Sequence, residues 1–185
     1  MDEKERETLY TLGHSTRTEE AFLALLTRYQ IQLLVDVRTV PRSRRVPQFN
    51  REHLHARLPT QGVAYLHHPA LGGLRKGRDS DRSNQGWRNA SFRGYADYMQ
   101  TEAFREGIDL LLSECRGKKT ALMCAEAVPW KCHRSLISDA LVVRGVTVCH
   151  ILSLTDTKVH QITPFAKVEG ARITYPGSEE QPSLF

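Results

Sequence analysis

Five short apolar runs, separated by stretches with helical periodicity, constrain the fold of this chain more than any other feature of its sequence. Each run has four to seven residues and is mostly apolar throughout, as in parallel strands that are buried on both faces. The runs are Thr8–Leu12, Leu33–Val37, Val63–Leu66, Thr120–Met123 and Val146–Leu152. Their alternation with helical stretches predicts an α/β fold, with a mostly parallel open sheet of about five strands and helices on both faces in three layers.

Four helical regions lie between these runs. Thr18 is placed to cap the first region, and Asn50 is placed to cap the second. The third covers residues 92–115, where apolar side chains recur at helical spacing. The fourth begins near Pro129, a residue that suits the first position of a helix, and ends at Gly145.

The length favours one principal domain. A chain of 185 residues can bury roughly 70% of its extended surface, enough for a core that needs no disulfide or metal. We predict a single α/β domain over residues 8–154, an extension over 155–175 and a flexible tail over 176–185. Within the extension, residues 160–175 suggest a short hairpin. Residues 75–91 are polar and predict a long loop.

Composition and termini exclude several classes of protein. Hydrophobic residues make up 40% of the chain and charged residues 25%, which excludes a fully disordered protein. No apolar run approaches the roughly 20 residues of a membrane span. The polar segment 1–7 does not resemble a signal peptide, so we expect a cytoplasmic protein whose four cysteines are reduced thiols.

The positive charge of the chain is local. The net charge is +5 at pH 7. Residues 36–58 hold six arginines against Asp36 and Glu52, a net charge of +4. Residues 71–94 hold five arginines and one lysine against two aspartates, again +4. These segments are either solvated basic loops or a site for phosphate or nucleic acid.

Reactive side chains gather where the predicted strands end. Ligands of open parallel sheets bind outside the carboxyl ends of the strands. The segments at or just past the ends of the five strands are Gly13-His14-Ser15, Asp36-Val37-Arg38 with Pro41–Arg45, His67-His68-Pro69 with Leu71-Gly72-Gly73, Cys124-Ala125-Glu126 with Pro129–Arg134, and Cys149-His150. Both basic segments begin at this edge, so we expect one shared pocket with a basic rim.

The most informative motif is Cys124-x-Glu126-x5-Cys132-His133-Arg134. It has the pattern of a strand, a turn and a helix start, which would place Cys132 in the first helical turn, where a thiolate is favoured. Arg134 opposes the helix dipole there, and a bound anion would compensate for it. In the structural interpretation, Cys124 is a buried strand residue and Arg134 pairs with Glu126.

Four kinds of chemistry compete for this motif. In the first, one of the two cysteines is a nucleophile and His133 or Glu126 is its base. In the second, Glu126 or Asp36 activates water while arginines hold phosphate. In the third, the motif binds a divalent metal, although its spacing lacks a CxxC pair. In the fourth, a sulfur-transfer or phosphatase-like loop cradles an anion, although bulky residues fill the turn. The candidate catalytic residues are His14, Asp36, Cys124, Glu126, Cys132 and His133.

A second group of residues is predicted to bind phosphate or substrate. Arginine suits this role because its planar guanidinium matches phosphate oxygens. Asp36 and Arg38 lie on one face of a predicted strand, so they either pair with each other or both belong to the site. Trp130, Tyr65 and Trp87 are candidates for stacking on a base. The predicted binding residues are Arg38, Arg42, Ser43, Arg44, Tyr65, His67, Gly72, Gly73 and Arg134.

Several motifs occur together in one order along the chain. They are Thr11-Leu12-Gly13-His14-Ser15, Val35-Asp36-Val37-Arg38, Pro41-Arg42-Ser43, Tyr65-Leu66-His67, Leu71-Gly72-Gly73 and Cys124-Ala125-Glu126 followed by Cys132-His133-Arg134. From Tyr10 to Leu154 the chain resembles the domain-of-unknown-function 488 family of small prokaryotic proteins. The resemblance implies a single α/β domain with a polar site built from these motifs, and it specifies no reaction.

The C-terminal pentapeptide carries a separate resemblance. Gln181-Pro182-Ser183-Leu184-Phe185 is similar to the bacterial sliding-clamp-binding motif, in which a Gln and a Leu-Phe pair dock into a clamp pocket. Pro182 stands where that motif usually has Leu. The clamp is therefore a predicted partner through Gln181, Leu184 and Phe185, and the alternative is that Leu184 and Phe185 pack against their own domain.

Three functions follow from these observations. The first is an enzyme that acts on nucleic acid or a nucleotide, linked to DNA maintenance. The second is a nucleic-acid-binding adaptor without catalysis, tethered to the clamp. The third is a thiol-dependent enzyme, related to sulfur transfer, for a small anionic substrate. No cofactor is firmly indicated, with a divalent metal as the alternative, and no membrane partner is expected.

Overall fold

The computed structural model of the chain describes residues 8–77 and 83–177. The strands are β1 (Thr8–Gly13), β2 (Leu33–Asp36), β3 (Ala64–His67), β4 (Thr120–Cys124), β5 (Thr147–Ile151), β6 (Thr157–Val159), β7 (Lys167–Glu169) and β8 (Arg172–Thr174). The helices are α1 (Glu19–Arg28), α2 (Arg51–Arg57), α3 (Ala90–Tyr98), α4 (Glu102–Cys115) and α5 (Arg134–Val143).

The main sheet has six strands in the order β3-β2-β4-β1-β5-β6. The first five are parallel to their neighbours, and β6 pairs antiparallel with β5 at one edge. The apolar runs of β1, β2, β4 and β5 follow from this arrangement, since a central parallel strand is covered on both faces. Strand β3 lies at the edge, and its side chains are exposed or half-buried rather than buried as the sequence predicts. The predicted α/β fold with a mostly parallel sheet is confirmed.

Two hydrophobic clusters cover the two faces of this sheet. Because strand side chains alternate, Leu33 and Val35 enter one cluster while Leu34 enters the other. The first cluster packs β-sheet residues against α3, α4 and α5. The second packs them against α1 and α2. The result is a three-layer domain with three helices on one face and two on the other.

The order of the strands opens a crevice at the carboxyl end of β4. The helix after β4 packs on one face of the sheet, whereas the helices after its two neighbours, β1 and β2, pack on the other face. Chain segments therefore diverge above these three strands, which is where ligands bind in open α/β sheets. The segments that diverge there begin with Gly13, Asp36 and Cys124.

The helices differ from the predictions at three places. The third region forms two helices because Thr101 caps α4, its hydroxyl accepting from the backbone N–H of Phe104. Asn50 occupies the N-cap position of α2, but its side chain makes no capping bond. The fourth helix does not begin near Pro129, where a single 3-10 turn ends at Lys131. Instead α5 begins at Arg134, so the predicted position of Cys132 in the first helical turn is wrong.

Segments beyond residue 154 pack onto the domain. Strand β6 extends the main sheet, and β7 and β8 form a two-stranded hairpin within residues 160–175. Ile173 and Tyr175 are buried in the first cluster. The division of the chain at residue 154 stays a prediction. Of the predicted loop over 75–91, residues 78–82 lie outside the described residues, and Ala90 already begins α3.

Among the helices of residues 8–77 and 83–177, none is both long and apolar enough to cross a membrane. The longest is α4, which has 14 residues and contains charged side chains.

Candidate functional site

Two cysteines meet at the carboxyl end of β4. Cys124 is the last residue of that strand, and the chain then passes through the turn at Pro129–Lys131 before it returns at Cys132. The turn is closed by the backbone N–H of Cys132, which donates to the carbonyl of Pro129 at 3.0 Å. The two sulfur atoms lie 2.7 Å apart, and all four cysteines of the chain are free thiols.

Cys132 has polar contacts besides its partner cysteine. The Nδ1 atom of His133 lies 3.6 Å from the Cys132 sulfur, and the backbone N–H of Arg134 donates to that sulfur at 3.5 Å. His133 Nε2 donates to the carbonyl of Val37 at 3.1 Å. Since a carbonyl only accepts, Nε2 carries a hydrogen, and Nδ1 is left to exchange a proton with Cys132.

Gly73 makes room for the imidazole. A β-carbon at this position would lie 2.5 Å from His133 Nδ1, closer than any ordinary contact. Gly72 fits in the same way against Thr39, whose backbone and hydroxyl would meet an added β-carbon. Each of these two glycines therefore permits a close approach to a specific neighbour, His133 or Thr39.

Arg134 supplies a buried positive charge beneath the motif. Its side chain is 1% exposed, and its Nη2 atom donates to the backbone carbonyls of Glu126 at 2.8 Å and Ala127 at 3.4 Å. Its Nε atom is buried without a hydrogen-bond partner. It forms no ion pair with a carboxylate among the described residues, so the pairing with the Glu126 carboxylate considered above is not formed. No carboxylate therefore neutralises the positive charge of this guanidinium among the described residues, and the charge favours an anion nearby.

The two thiols have opposite tendencies to ionise. Burial opposes ionisation of Cys132, but hydrogen bonds with Cys124 and His133, together with the charges of His133 and Arg134, hold its pKa well below the ordinary value. Burial raises the pKa of Cys124, and the hydrogen bond and charge of Cys132 raise it further. The pair is therefore best described as a Cys132 thiolate that accepts a hydrogen bond from the Cys124 thiol.

Both sulfurs border a cavity of about 320 Å³, here called the thiol cavity. Its wall also includes the exposed residues Val40, Leu74 and Lys131 and the partly buried Phe92. The predicted site residues that line it are Arg38, Gly73, Cys124, Glu126, Cys132 and His133. The structure thus brings the cysteine motif, the arginine after β2 and the glycine turn to one place.

A second cavity adjoins the first and is here called the arginine cavity. It has a volume of about 400 Å³ and shares Arg38, Val40, Ala125 and Glu126 with the thiol cavity. The other predicted residues in its wall are His14, Arg42 and Ser43. Asn50 holds this loop, because its Oδ1 accepts from the backbone N–H of Ser43 at 2.6 Å.

Asp36 and Arg38 form a buried ion pair below the arginine cavity. Two guanidinium nitrogens of Arg38 donate to the two carboxylate oxygens, at 2.8 and 2.6 Å, and the side chains are 0% and 8% exposed. The Tyr65 hydroxyl donates to the same carboxylate at 2.7 Å. Burial raises the pKa of Tyr65, and the charge of Asp36 raises it further, so this hydroxyl stays protonated. Asp36 is therefore enclosed by donors.

His14 joins this network from β1. Its Nδ1 donates to the carbonyl of Ser15 at 2.8 Å, which leaves Nε2 to accept from Arg38 Nη1 at 3.1 Å. The ring stacks on Phe49 with a centroid distance of 4.4 Å. Burial lowers the pKa of His14 to about 4, and the charge of Arg38 acts in the same direction. His14 is consequently neutral at pH 7 and positions the arginine.

Several predicted residues lie outside both cavity walls. His67 Nε2 donates to the backbone carbonyl of Arg38 at 2.9 Å and so helps to hold the strand end. Arg44 is exposed on the loop that carries Arg42. Of the aromatic candidates, Trp130 is 56% exposed, whereas Trp87 packs among Phe92, Phe165 and Tyr175. The predicted residues outside the walls are Asp36, Arg44, Tyr65, His67, Gly72 and Arg134.

The metal alternative receives no support from this geometry. Over residues 8–77 and 83–177, no three His, Cys, Asp or Glu side chains are grouped so that they could hold a metal ion. The Glu126 carboxylate is exposed at the border of the two cavities rather than bonded to the cysteines. Gln181, Leu184 and Phe185 lie outside the described residues, so clamp binding stays a prediction.

A network of polar side chains around His150 of β5 was not predicted from the sequence. Thr11 Oγ1 lies 2.7 Å from His150 Nδ1, His150 Nε2 lies 2.9 Å from His160 Nδ1, and His160 Nε2 donates to Asp139 at 2.7 Å. Tyr175 also donates to Asp139, at 2.8 Å. Burial lowers the pKa of His150 to about 3, with the charge of His160 next in importance. The available signals were His150 at its strand end and an aspartate within the apolar stretch of α5.

The fold and the site define an α/β protein with paired thiols and a basic rim at the carboxyl edge of its sheet. A family model described as "Domain of unknown function DUF488" matches residues 18–141, and the chain belongs to this family. No curated protein and no solved structure matches the chain. The matched range includes the motifs from Val35 to Arg134 that carried the resemblance.

Proposed function

We propose that the protein is a thiol-dependent enzyme for a small anionic substrate, with Cys132 as its nucleophile. The observation that carries this proposal is the set of contacts around the Cys132 sulfur, which are those that stabilise a thiolate: the thiol of Cys124, the imidazole of His133 and the backbone N–H of Arg134. The same sulfur borders a cavity large enough for a small molecule.

The roles of the neighbouring groups follow from their positions. His133 accepts the proton of Cys132 at Nδ1 and, because Nε2 is held by the carbonyl of Val37, keeps its ring oriented towards the sulfur. Arg134 stays buried and stabilises the thiolate by its charge, so it is a positioning and electrostatic residue rather than one that contacts substrate. Cys124 is protonated and donates to the thiolate.

Preference for an anion follows from the charges around the two cavities. Lys131 lies in the wall of the thiol cavity, and Arg42 and Arg45 lie in the wall of the arginine cavity, all three with exposed side chains. Among the described residues that line these two walls, Glu126 is the only acidic one. Arg38 is already engaged by Asp36, so the three exposed cations give the shared space a positive charge that favours an anionic substrate.

Thiolate absorbance at 240 nm tests the nucleophile directly. We expect the wild-type protein to show a thiol that stays ionised well below pH 8.5, roughly the pKa of free cysteine. This signal fades only as the pH falls through the lowered pKa of Cys132. It should be lost in Cys132→Ser, kept in Cys149→Ser and shifted to higher pH in His133→Gln, which removes the imidazole partner.

Reaction with a small alkylating agent provides the second readout. At pH 6 we expect Cys132 to react at least about 10-fold faster than Cys149, because the thiolate is the reactive form. Cys149 is the matched control since its side chain is more exposed than that of Cys132. Alkylation that occurs first at Cys149, or a wild-type titration indistinguishable from free cysteine, would overturn the proposal.

Nucleic-acid binding is a second candidate function, supported by the loop after β2. Arg42, Arg44 and Arg45 are exposed within four residues of one another, beside the arginine cavity. We expect binding of single-stranded DNA to weaken steeply with salt. The double variant Arg42→Gln with Arg44→Gln should reduce the slope of log K against log salt concentration by about 1.4, since two phosphate contacts are lost. Arg116→Gln, an exposed arginine at the end of α4 on the opposite edge of the sheet, is the control. Absence of binding, or binding independent of salt, would contradict this function.

A further inference from the structure

The proximity of Cys124 to Cys132 exceeds what stabilisation of a thiolate requires. The two sulfurs are 2.7 Å apart and border the same cavity. Apart from Cys132, the only hydrogen-bond partner of the Cys124 sulfur given by the described residues is the carbonyl of Glu126, at 3.8 Å. A covalent bond between two sulfurs is about 2.05 Å long, so a shift of less than 1 Å would join them.

The two cysteines also differ in the backbone elements that hold them. Cys124 is held in the sheet, where its carbonyl accepts from the backbone N–H of His14 at 3.0 Å and where it pairs in register with Gly13. Cys132 lies in extended backbone between a single 3-10 turn and α5. One sulfur is thus carried by a strand of the sheet, and the other by a short connecting segment outside the regular elements.

Their protonation states suit two successive attacks. Cys132 is the thiolate that reacts first, and Cys124 is the thiol that keeps its proton until its partner has been consumed. Once Cys132 is bonded to another sulfur, it no longer carries a negative charge beside Cys124. Burial, the largest cause of the raised pKa of Cys124, remains, but the negative charge that raised this pKa further is removed.

We infer, on the basis of the function proposed above, that Cys124 and Cys132 form a dithiol–disulfide couple, and that the substrate is a small anionic organic disulfide. Two observations carry this inference: the contact between the sulfurs, and the cavity with a cationic residue, Lys131, that both sulfurs border.

The reaction proceeds in two exchanges. In the first, the Cys132 thiolate attacks one sulfur of the substrate disulfide, the substrate S–S bond breaks, and the departing thiolate takes the proton held by His133. In the second, Cys124 loses its proton and attacks the Cys132 sulfur. This forms the Cys124–Cys132 bond, and the second substrate thiolate leaves and takes the Cys124 proton.

The two exchanges balance in atoms, electrons and protons. Two electrons and two protons pass from the cysteine pair to the substrate, which becomes two thiols, while the pair becomes one disulfide. A low-molecular-weight thiol in excess reverses both exchanges and regenerates the dithiol, so the reductant belongs to the same chemical class as the product.

The test uses dithiobis(nitrobenzoate), an aromatic disulfide that carries two carboxylates, on the reduced full-length protein. With the wild-type protein we expect two thiol equivalents to be released from the pair, and peptide mass mapping to show Cys124 joined to Cys132. With Cys124→Ser, one equivalent is released and the probe remains attached to Cys132. Cys124→Ala is the companion variant, and Cys149→Ser should behave as the wild type.

Failure of this inference can be told apart from failure of the proposed function. A wild-type protein that keeps the probe on Cys132, without a Cys124–Cys132 bond, overturns the inference and leaves Cys132 as the nucleophile. A protein in which Cys132 is unmodified overturns both. Release of one equivalent at the wild-type rate from Cys132→Ser, with the probe attached to Cys124, would also overturn both, because Cys124 would then be the cysteine that reacts first.

The anionic preference is tested by a matched pair of probes. Hydroxyethyl disulfide is small and uncharged, whereas dithiobis(nitrobenzoate) is anionic. We expect Lys131→Gln to slow the reaction with the anionic probe by about 3- to 10-fold and to leave the neutral probe unaffected, since the lysine acts through its charge. Equal effects on the two probes, or no effect on either, would overturn the assignment of an anionic substrate.

Discussion

Replacement of Arg38 by Met is expected to lower the free energy of unfolding by about 3–5 kcal/mol. The variant leaves the Asp36 carboxylate fully buried without its bidentate partner, with the Tyr65 hydroxyl as a remaining donor. It also deprives His14 Nε2 and the carbonyl of Phe49 of the hydrogen bonds that Arg38 donates to them. Chemical denaturation monitored by circular dichroism measures the change.

An exposed ion pair is the natural control for this variant. Arg57 donates to Glu19 at 2.5 Å, with side chains 39% and 24% exposed, so Arg57→Met should cost less than about 1 kcal/mol. The double variant Arg38→Met with Asp36→Leu should be more stable than Arg38→Met alone, since no unpaired charge remains. A cost of less than about 1 kcal/mol for Arg38→Met would show that the pair is not buried as described.

The second large effect is expected for Gly13→Ala, with a loss of about 3 kcal/mol or more. A β-carbon on residue 13 would lie 1.7 Å from the carbonyl oxygen of Glu126 and 2.6 Å from its carbonyl carbon. Both atoms belong to the backbone, so no side-chain rotation relieves the clash. The segment after Cys124 must move, and that segment carries the carbonyls that bind Arg134.

Two measurements separate this effect from a general cost of losing glycine. Gly117 has a positive φ of 67° and open space around it, so Gly117→Ala should cost only about 1–2 kcal/mol and leave the thiols unchanged. Gly13→Ala should in addition slow alkylation of Cys132, because the Arg134 charge is displaced. An unchanged stability together with an unchanged alkylation rate would contradict the close approach of β1 to this turn.

Local pattern was sufficient for the five parallel strands and for the helix start at Thr18, although it did not predict β6. Each of the five predicted strands overlaps an observed strand to within a residue or two at its ends, and the apolar runs of the central strands are covered on both faces. Thr18 caps α1 through its hydroxyl, which accepts from the backbone N–H of Ala21. Such capping depends on residues only three apart, so the sequence contains all that it requires.

Two predictions about helix starts, at Asn50 and at Pro129, were wrong. Asn50 has the side chain of a cap, but its oxygen accepts from Ser43, seven residues away, and so holds the arginine loop instead. Pro129 has the conformation of a helix start, but the chain extends again at Cys132 (φ −133°, ψ 145°) before α5 begins. That extension places the Cys132 sulfur against Cys124 and leaves α5 to begin two residues later.

The sequence by itself determined the α/β fold, the edge of the sheet that carries the site and the motif that contains both cysteines. Each of these depends on short-range pattern and on the rule that carboxyl ends of parallel strands share an edge. Only the tertiary structure decided which residues of that edge contact one another. The strand order put β4 between β1 and β2, so that His14 met Arg38 and His133 met the carbonyl of Val37. Those pairings depend on distances between segments that lie far apart along the chain, and residue pattern alone does not contain them.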